Sequence, residues 1–323
     1  RGRANEERKR VNRASSDAAE RTPTRVDSPL RMPEWLRRPI PRGPQVNRAR
    51  RVVDHWGLHT VCESAACPNR LECYSGGKLT FMILGDTCTR NCSYCKVNTG
   101  KPLPPDPSEP ERLASAAKEL GLDYVVITSV CRDDLLDSGA SHFAATVEAL
   151  RTHSPNSLTE VLIPDFGDSL EDLRTLLSAR PAVLNHNIET VPRLYPQARR
   201  QGKYDWAIEL LGRVKNISPE TPTKSGLMLG LGESRVEVIA ALEDLRHVNC
   251  DVVTLGQYVR PSLTHWPVDR YVTPEEFAEY EAIGRDMGFA YIASGPLVRS
   301  SFMAKEIASA LTHRNPASQT STL

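Results

Sequence analysis

Three cysteines, Cys88, Cys92 and Cys95, lie in the stretch TCTRNCSYCKV with the spacing C-x3-C-x2-C. Thiolates are soft ligands that select zinc or iron–sulfur clusters. A four-iron cluster normally takes one cysteine for each iron, so this first triplet would leave one iron open. A structural zinc site would instead be closed by a fourth ligand, such as Cys131, Cys250 or a histidine. Both interpretations predict a metal centre, and the open position favours a catalytic one.

A second triplet, Cys62, Cys67 and Cys73, lies upstream and is also one ligand short of a closed site. Six of the eight cysteines therefore fall in residues 62–95. In a long chain without a visible secretory signal, such clustering indicates metal binding rather than disulfides. The residues alone leave open a second cluster or a zinc site that holds the N-terminal segment. Because exposed thiolates and clusters need reducing conditions, we expect a cytoplasmic protein.

The elements that must position these cysteines follow a repeating pattern from residue 79 onward. Short β-rich runs alternate with amphipathic ones, and seven strands are predicted at 79–86, 124–130, 158–166, 183–189, 225–232, 251–258 and 290–296. Helices are expected at 139–152, 168–178, 204–215 and 234–247, and two more should begin with capping boxes at Ser108 and Thr273. Repeated strand–helix alternation implies parallel strands joined by crossovers. We therefore predict an α/β fold with a partial (β/α)6 TIM-like barrel, with N-terminal and C-terminal extensions; a doubly wound open sheet is the alternative.

Active sites of such barrels lie at the C-terminal ends of the strands. The first triplet follows the first predicted strand, which is the position of a catalytic loop. Polar residues at other strand ends are candidate binding residues, namely Asn185, Asn187, Glu189, Gly230 and Glu233. For Glu233, ordering of its own loop is the alternative role.

The spacing of the first triplet resembles the signature of the radical S-adenosylmethionine (SAM) superfamily. The stretch GLMLGLGE, from Gly226 to Glu233, is similar to the G-x-I-x-G-x-x-E pattern on the fifth strand of that superfamily, with Met228 replacing isoleucine. The resemblance implies that the open iron binds the amino and carboxylate groups of SAM. It also implies that the reduced [4Fe-4S] cluster splits the sulfonium to give a 5′-deoxyadenosyl radical.

The sequence TVCESAACPNRLECYSGGKLTFMILGDTCTRNCSYC, around both triplets, closely resembles lipoyl synthases, and the resemblance extends over residues 32–306. It implies that the second triplet binds an auxiliary [4Fe-4S] cluster whose fourth ligand is a serine of an R-S-S-Y motif. Here the motif reads Arg299-Ser300-Ser301-Phe302, so Ser300 is the expected ligand and Ser301 the alternative. The phenylalanine lacks the tyrosine hydroxyl. Cys131 also departs from the family pattern, which has aspartate there; a small buried thiol or a residue facing the active site are both open.

The resemblance implies that an octanoyl chain, attached to a lysine of a lipoyl carrier domain, gains sulfur at C6 and C8. Those carbons bear no leaving group and no acidic proton, so a radical must activate them. The implied partners are octanoylated E2 subunits of 2-oxoacid dehydrogenases, the glycine cleavage H protein, ferredoxin or flavodoxin as electron donor, and an iron–sulfur carrier protein. The alternatives are another two-cluster radical SAM enzyme, such as a methylthiotransferase, and a zinc-binding module without enzymatic activity. The RSSF and NHNIET blocks argue against a methylthiotransferase.

Four parts of the chain are expected. They are a basic, disordered tail (1–31), an extension with the auxiliary cysteines (32–78), the radical SAM barrel (79–298), and a segment with the serine ligand and a flexible tail (299–323). Residues 1–51 carry 15 Lys/Arg against 6 Asp/Glu, yet without aromatic interleaving or a recognition motif we expect no nucleic-acid partner. No run of 18 apolar residues exists, so no membrane partner is expected either.

Overall fold

The strands of the barrel are short and bounded by loops in the computed structural model, which describes residues 30–37 and 44–301. In chain order they are β1 (His59–Thr60), β2 (Thr80–Ile83), β3 (Thr87–Cys88), β4 (Asn98–Thr99), β5 (Tyr124–Ser129), β6 (Leu158–Leu162), β7 (Val183–Asn185), β8 (Thr223–Leu229), β9 (Val252–Gln257) and β10 (Tyr291–Gly295). Eight of them form one sheet in the order β1-β2-β5-β6-β7-β8-β9-β10, and β3 pairs with β4. All neighbours in the large sheet run parallel except β1, which is antiparallel to β2.

The helices supply the crossovers between these parallel strands. They are α1 (Pro44–His55), α2 (Val61–Ser64), α3 (Arg70–Ser75), α4 (Glu109–Leu120), α5 (Ala140–His153), α6 (Leu170–Ser178), α7 (Tyr195–Ala198), α8 (Tyr204–Ile217), α9 (Arg235–His247) and α10 (Pro274–Asp286), with 3-10 turns at Glu34–Leu36, Phe166–Asp168 and Pro192–Leu194. Six crossovers join seven parallel strands, which confirms the predicted α/β class and the barrel-like order. The last strand, β10, matches the seventh predicted strand at 290–296, so the sheet has one parallel strand more than a (β/α)6 barrel.

Two capping predictions had different outcomes. At α10 the box is present, because Thr273 Oγ1 accepts the Glu276 N–H and the Glu276 carboxylate accepts the Thr273 N–H. At α4 the predicted box is wrong. The Ser108 hydroxyl instead donates to Asp106 Oδ1 at 2.7 Å, because that carboxylate lies only two residues upstream.

Buried apolar side chains of the strands and helices pack together between the sheet and the helices. Strand β2 is buried at all four positions, as expected for a parallel strand with neighbours on both faces. A charged pair lies within the sheet layer, where Lys224 Nζ contacts Glu160 Oε1 at 3.0 Å and both side chains are almost fully buried. Asn185 and Tyr124 donate to the same carboxylate, which satisfies the buried charge.

No helix among residues 30–37 and 44–301 is both long enough and apolar enough to cross a membrane. The predicted disordered tail lies outside the described residues up to position 29, and so does the predicted flexible tail beyond Ser301. Phe302 of the RSSF motif is also outside them.

Candidate active site

Residues of both cysteine triplets line one cavity at the C-terminal ends of the parallel strands. The cavity has a volume of about 480 Å³, and its wall includes all three cysteines of the first triplet, Cys62 and Cys67 of the second, and Ser300 and Ser301. Cys73 lies outside this wall. Residues that end strands, such as Ser129, Leu162 and Gln257, also contribute to the wall. The position agrees with the general location of active sites in β/α barrels.

The first triplet lies in a loop, residues 87–99, whose two ends pair as β3 and β4. Arg90 pins this cluster loop to the ends of two neighbouring strands. Its guanidinium forms two hydrogen bonds with Asp165, at 2.6 and 2.7 Å, and contacts Asp133 at 2.7 Å. Arg90 and Asp165 are both buried. Asp133 therefore supports the cluster loop, and Asp134 similarly pairs with Arg132.

Cys88 has the most polar surroundings of the first triplet. Its Sγ accepts the backbone N–H groups of Arg90 at 3.4 Å and Cys131 at 3.3 Å. A hydrogen bond from the Cys131 thiol, together with those two, lowers the pKa of Cys88 to about 6. Burial instead raises the pKa of Cys95 to about 12. Because metal ligation needs thiolates, Cys88 is the member already prepared for it.

Cys131 thus lines the cavity beside Cys88, which is the second of the two roles left open for it. Cys250 is fully buried between apolar neighbours and hydrogen-bonds backbone carbonyls, as expected for a core thiol. His265 packs against the cluster loop, where its Nε2 lies 3.1 Å from the carbonyl oxygen of Cys95. Among the residues that the structure describes, no three His, Cys, Asp or Glu side chains converge closely enough to hold a single metal ion.

Asn187 and Glu189 reach the cavity together, as predicted from their strand-end position. The Asn187 amide donates to Glu189 Oε1 at 3.2 Å, and Glu189 is held at φ +63°, a strained backbone for a residue with a side chain. Burial raises the pKa of the Glu189 carboxyl.

Arg199, which the sequence did not single out, lines the same wall and donates to the Asn187 carbonyl oxygen at 3.0 Å. Its position ten residues after Glu189, in an arginine pair, was the available signal.

Three predicted SAM contacts are not part of the cavity wall. Asn185 is buried and donates to Glu160 at 3.2 Å. Glu233 accepts the backbone N–H groups of Gly230 at 2.6 Å and Leu231 at 2.9 Å, so it orders its own loop. Gly230 has φ +96°, and a Cβ there would lie 2.2 Å from Gln257 Nε2, so the turn needs glycine for packing. These three residues therefore have structural roles in the metal-free protein, and their contact with SAM stays a prediction.

The second triplet is carried by two short helices and the turn between them. Cys62 lies in α2 and Cys73 in α3, and the Cys67 N–H donates to the Cys62 carbonyl oxygen at 3.1 Å. Burial raises the pKa of Cys62 to about 12 and that of Cys73 to about 11. Both are therefore thiols in the metal-free protein, and binding of a metal would release protons.

The C-terminal segment, Leu297–Ser301, returns over the end of β9 and brings Ser300 to the cavity. Its backbone lies against Gly256, where an added Cβ would be only 2.0 Å from the carbonyl oxygen of Val298. The Ser300 hydroxyl donates to Asn187 Oδ1 at 2.9 Å. Ser300 therefore lines the same cavity as residues of both triplets.

Comparisons with known proteins agree with this arrangement. The radical SAM superfamily profile matches residues 82–245. A lipoyl synthase of Methylococcus capsulatus is 54% identical, over 91% of this chain and 92% of its own length. The chain belongs to the lipoyl synthase family. A second lipoyl synthase, from Thioalkalivibrio sulfidiphilus, is 51% identical over 90% of this chain and 92% of its own.

Solved structures share the fold at low identity. Methylornithine synthase has a TM-score of 0.51 at 14% identity, covering 77% of this chain and 76% of its own. Streptococcus suis SuiB bound to S-adenosylmethionine has a TM-score of 0.54 at 13% identity, covering 73% and 57%. As a radical SAM enzyme of the lipoyl synthase family, the chain works with SAM and a [4Fe-4S] cluster. The resemblance identified from the motifs is confirmed.

Proposed function

We propose that this chain inserts sulfur at C6 and C8 of an octanoyl group held on a lysine of a lipoyl carrier domain. One observation carries the proposal: the first triplet, Cys62 and Cys67 of the second triplet, and Ser300 line a single cavity. A substrate carbon that becomes a radical must meet its sulfur donor before it reacts elsewhere. Two metal sites on one wall are consistent with that requirement.

The donor set fits two iron–sulfur clusters. Each triplet offers three soft thiols, and soft sulfur is the ligand that such clusters prefer. Gly226 allows the wall to pack closely here, because a Cβ at this position would lie 2.7 Å from Thr254 Oγ1 and 2.9 Å from Asn187 Oδ1. We infer that Cys88, Cys92 and Cys95 hold the cluster that binds SAM, and that the second triplet with Ser300 holds an auxiliary cluster.

When bound, the clusters and SAM would supply a radical that removes hydrogen from the substrate and the sulfide that replaces it. The protein's part is to bind, orient and exclude water. Arg199 is suited to the carboxylate of SAM, because its guanidinium lies on the cavity wall. Asn187 and Glu189 lie on the same wall, and their side chains suit the hydroxyl and amino groups of SAM. Apolar wall residues suit an acyl chain and keep water from the radical; they include Val97, Val130, Leu162, Ile163 and Met228.

Ser300 is the ligand best suited to being displaced. An alkoxide is a harder donor than a thiolate, and iron–sulfur sites prefer soft sulfur. Its hydroxyl also has an alternative partner in Asn187 Oδ1. Loss of sulfur from the auxiliary site would therefore cost less with Ser300 as ligand than with a fourth cysteine.

The partners and the location extend the same proposal. We infer that the substrates are octanoylated E2 subunits and the H protein, that ferredoxin or flavodoxin donates electrons, that an iron–sulfur carrier rebuilds the auxiliary cluster, and that the protein acts in the cytoplasm. The family relationship supports them. The four-part division at residues 31, 78 and 298 is proposed on the same basis.

The experiment is an anaerobic assay of the purified chain with SAM, a reductant and an octanoyl-lysine peptide, read by mass spectrometry. A mass gain of two sulfurs is expected, with about eight irons and eight sulfides per chain before turnover. A Cys73→Ala variant should cleave SAM without transferring sulfur. Cleavage of SAM by the unaltered chain without any sulfur gain would point to another substrate, as in a methylthiotransferase. Zinc in place of iron would overturn the proposal and favour the zinc-binding module.

A further inference from the structure

A buried asparagine joins two parts of the chain that are far apart in sequence. The Asn69 side-chain amide donates a 2.6 Å hydrogen bond to the carbonyl oxygen of Leu297, 228 residues away. Asn69 is 3% exposed and Leu297 is 7% exposed, so water competes little for this bond. Asn69 lies two residues after Cys67, and Leu297 lies three residues before Ser300. The bond therefore connects the turn of the second triplet to the C-terminal segment.

Asn69 also fixes the second triplet from its backbone. Its carbonyl oxygen accepts the Cys73 N–H at 2.9 Å, and the Arg70 N–H donates to the Cys67 carbonyl oxygen at 3.2 Å. The backbone of Asn69 thus fixes the turn between Cys67 and Cys73. Its side chain holds the segment that carries Ser300.

The other contacts of the C-terminal segment are made with the barrel. Val298 lies over Gly256, and Ser300 donates to Asn187. Arg299 donates to the adjacent Val298 carbonyl oxygen. Between residues 297 and 301, no side chain forms an ion pair with any residue that the structure describes. The Arg299 guanidinium also interacts electrostatically with Cys67, so Asn69 supplies the hydrogen bond, rather than the only interaction, between this segment and the second triplet.

The position of Asn69 costs stability. Its Oδ1 is buried and has no hydrogen-bond partner among the described residues. A buried acceptor without a partner costs about 1–3 kcal/mol. An apolar residue would serve packing alone at lower cost. We therefore infer that this position requires the side-chain N–H donor of Asn69.

We propose that Asn69 is a positioning residue for the auxiliary site: it holds Ser300 within reach of the iron that Cys62, Cys67 and Cys73 leave without a protein ligand. The inference rests on the proposed function, because it assumes that this triplet and Ser300 share one cluster. Loss of the amide donor frees the C-terminal segment from the turn and leaves the auxiliary site with three ligands.

The test measures bound iron in two variants, each of which lacks the cysteines of one triplet, so that the iron can be assigned to the other triplet. With the first triplet replaced by alanine, all bound iron belongs to the second triplet, about four atoms per chain after anaerobic reconstitution. Asn69→Ala, Asn69→Asp and Ser300→Ala should each lower that iron at least twofold, and Asn69→Ala combined with Ser300→Ala should lower it no further. With the second triplet replaced instead, the same Asn69 variants should leave the iron unchanged. Asn156→Asp, the same substitution at an exposed loop position, is the matched control.

A rescue distinguishes positioning from general support of the fold. Ser300→Cys supplies a softer ligand that binds iron from a loosened segment, so it should restore iron to the Asn69→Ala variant. Equal iron loss in both backgrounds, or no rescue, would overturn the positioning role. Full iron at the second triplet in Asn69→Ala would overturn it as well. If the unaltered second triplet holds no iron, the proposed function itself fails, and the two failures are therefore distinguishable.

Discussion

Replacement of Gly256 by alanine should displace the C-terminal segment and slow sulfur insertion. The added Cβ would lie 2.0 Å from the carbonyl oxygen of Val298, 3.0 Å from its carbonyl carbon and 3.1 Å from Arg299 Nη1. Real Cβ atoms essentially never come closer than 3.0 Å to such atoms, so the carbonyl must move by about 1.0 Å, the difference between 3.0 and 2.0 Å. The clash is with backbone, which cannot turn aside like the end of a flexible side chain. Ser300, two residues further, must move with it.

The size of the effect follows from that displacement. A misplacement of about 1 Å can cost roughly 10²-fold in rate, which corresponds to about 2.7 kcal/mol. Overpacking also costs about 1–3 kcal/mol of stability. The first triplet lies on a different loop, so formation of 5′-deoxyadenosine should fall much less than formation of the sulfur-containing product.

The assay follows both products by mass spectrometry under anaerobic conditions, with iron measured in parallel. Gly212→Ala is the matched control, because Gly212 lies within α8 and an added Cβ would be 3.4 Å from Val248 Cγ1, an ordinary contact. A Gly256→Ala protein that forms product at the unaltered rate would refute the reasoning. An equal loss in Gly212→Ala would refute it too, since the effect would then not depend on the close approach to Val298.

Four further predictions address the site and its support. Arg90→Lys removes the paired hydrogen bonds that pin the cluster loop, so formation of 5′-deoxyadenosine should fall about 10–100-fold; an unchanged rate would contradict the positioning role. In metal-free protein, alkylation mapped by mass spectrometry should show Cys88 reactive above about pH 6 and protected below it, because the thiolate is the nucleophile. Cys131→Ala should move that midpoint upward, and an unmoved midpoint would contradict the hydrogen bond between the thiols. Lys224→Met leaves a buried carboxylate unpaired and should lower the free energy of unfolding by about 3–5 kcal/mol in urea denaturation; a loss below about 1 kcal/mol would argue against the pair. Ser300→Cys should keep the auxiliary iron but slow turnover, and two sulfurs inserted at the unaltered rate would contradict a role in release.

The first site could be predicted from sequence because its determinants are local. Its three cysteines lie within eight residues and directly follow an apolar run, so the strand alone fixes their place at the barrel rim. What pins the loop was not predictable in the same way. Arg90 could have paired with several carboxylates, and only the packing of β5 and β6 selects Asp165 and Asp133.

The end of a strand separates the predicted SAM contacts that line the cavity from one that does not. The strand predicted over 183–189 ends at Asn185 in the structure. Side chains alternate between the two faces only while the strand continues, so residues beyond its end leave that alternation. Asn187 and Glu189 therefore reach the cavity from a loop, whereas Asn185 remains in the buried layer below. A boundary shifted by a few residues is enough to exchange a binding residue for a structural one.

The position of Ser300 on the same cavity wall as Cys62 and Cys67 depends on long-range contacts that no local pattern contains. The amide of Asn69, the missing side chain at Gly256 and the carbonyl oxygen of Leu297 together bring the C-terminal segment to the cavity. Each residue type has many other uses, so none of them signals the contact. The family resemblance suggested Ser300, and the contacts supply the physical reason why it can reach the site.

Asn187 relates the two proposed sites to each other. Its Oδ1 accepts the Ser300 hydroxyl, while its Nδ2 donates to Glu189 on the side assigned to SAM. If Ser300 bound iron, the partly buried Oδ1 of Asn187 would lose this donor. A hydroxyl or amino group of SAM could replace that donor. On the proposed function, SAM binding would then favour Ser300 as an iron ligand, and departure of SAM would favour its return to Asn187. One amide would in this way couple the two proposed metal sites.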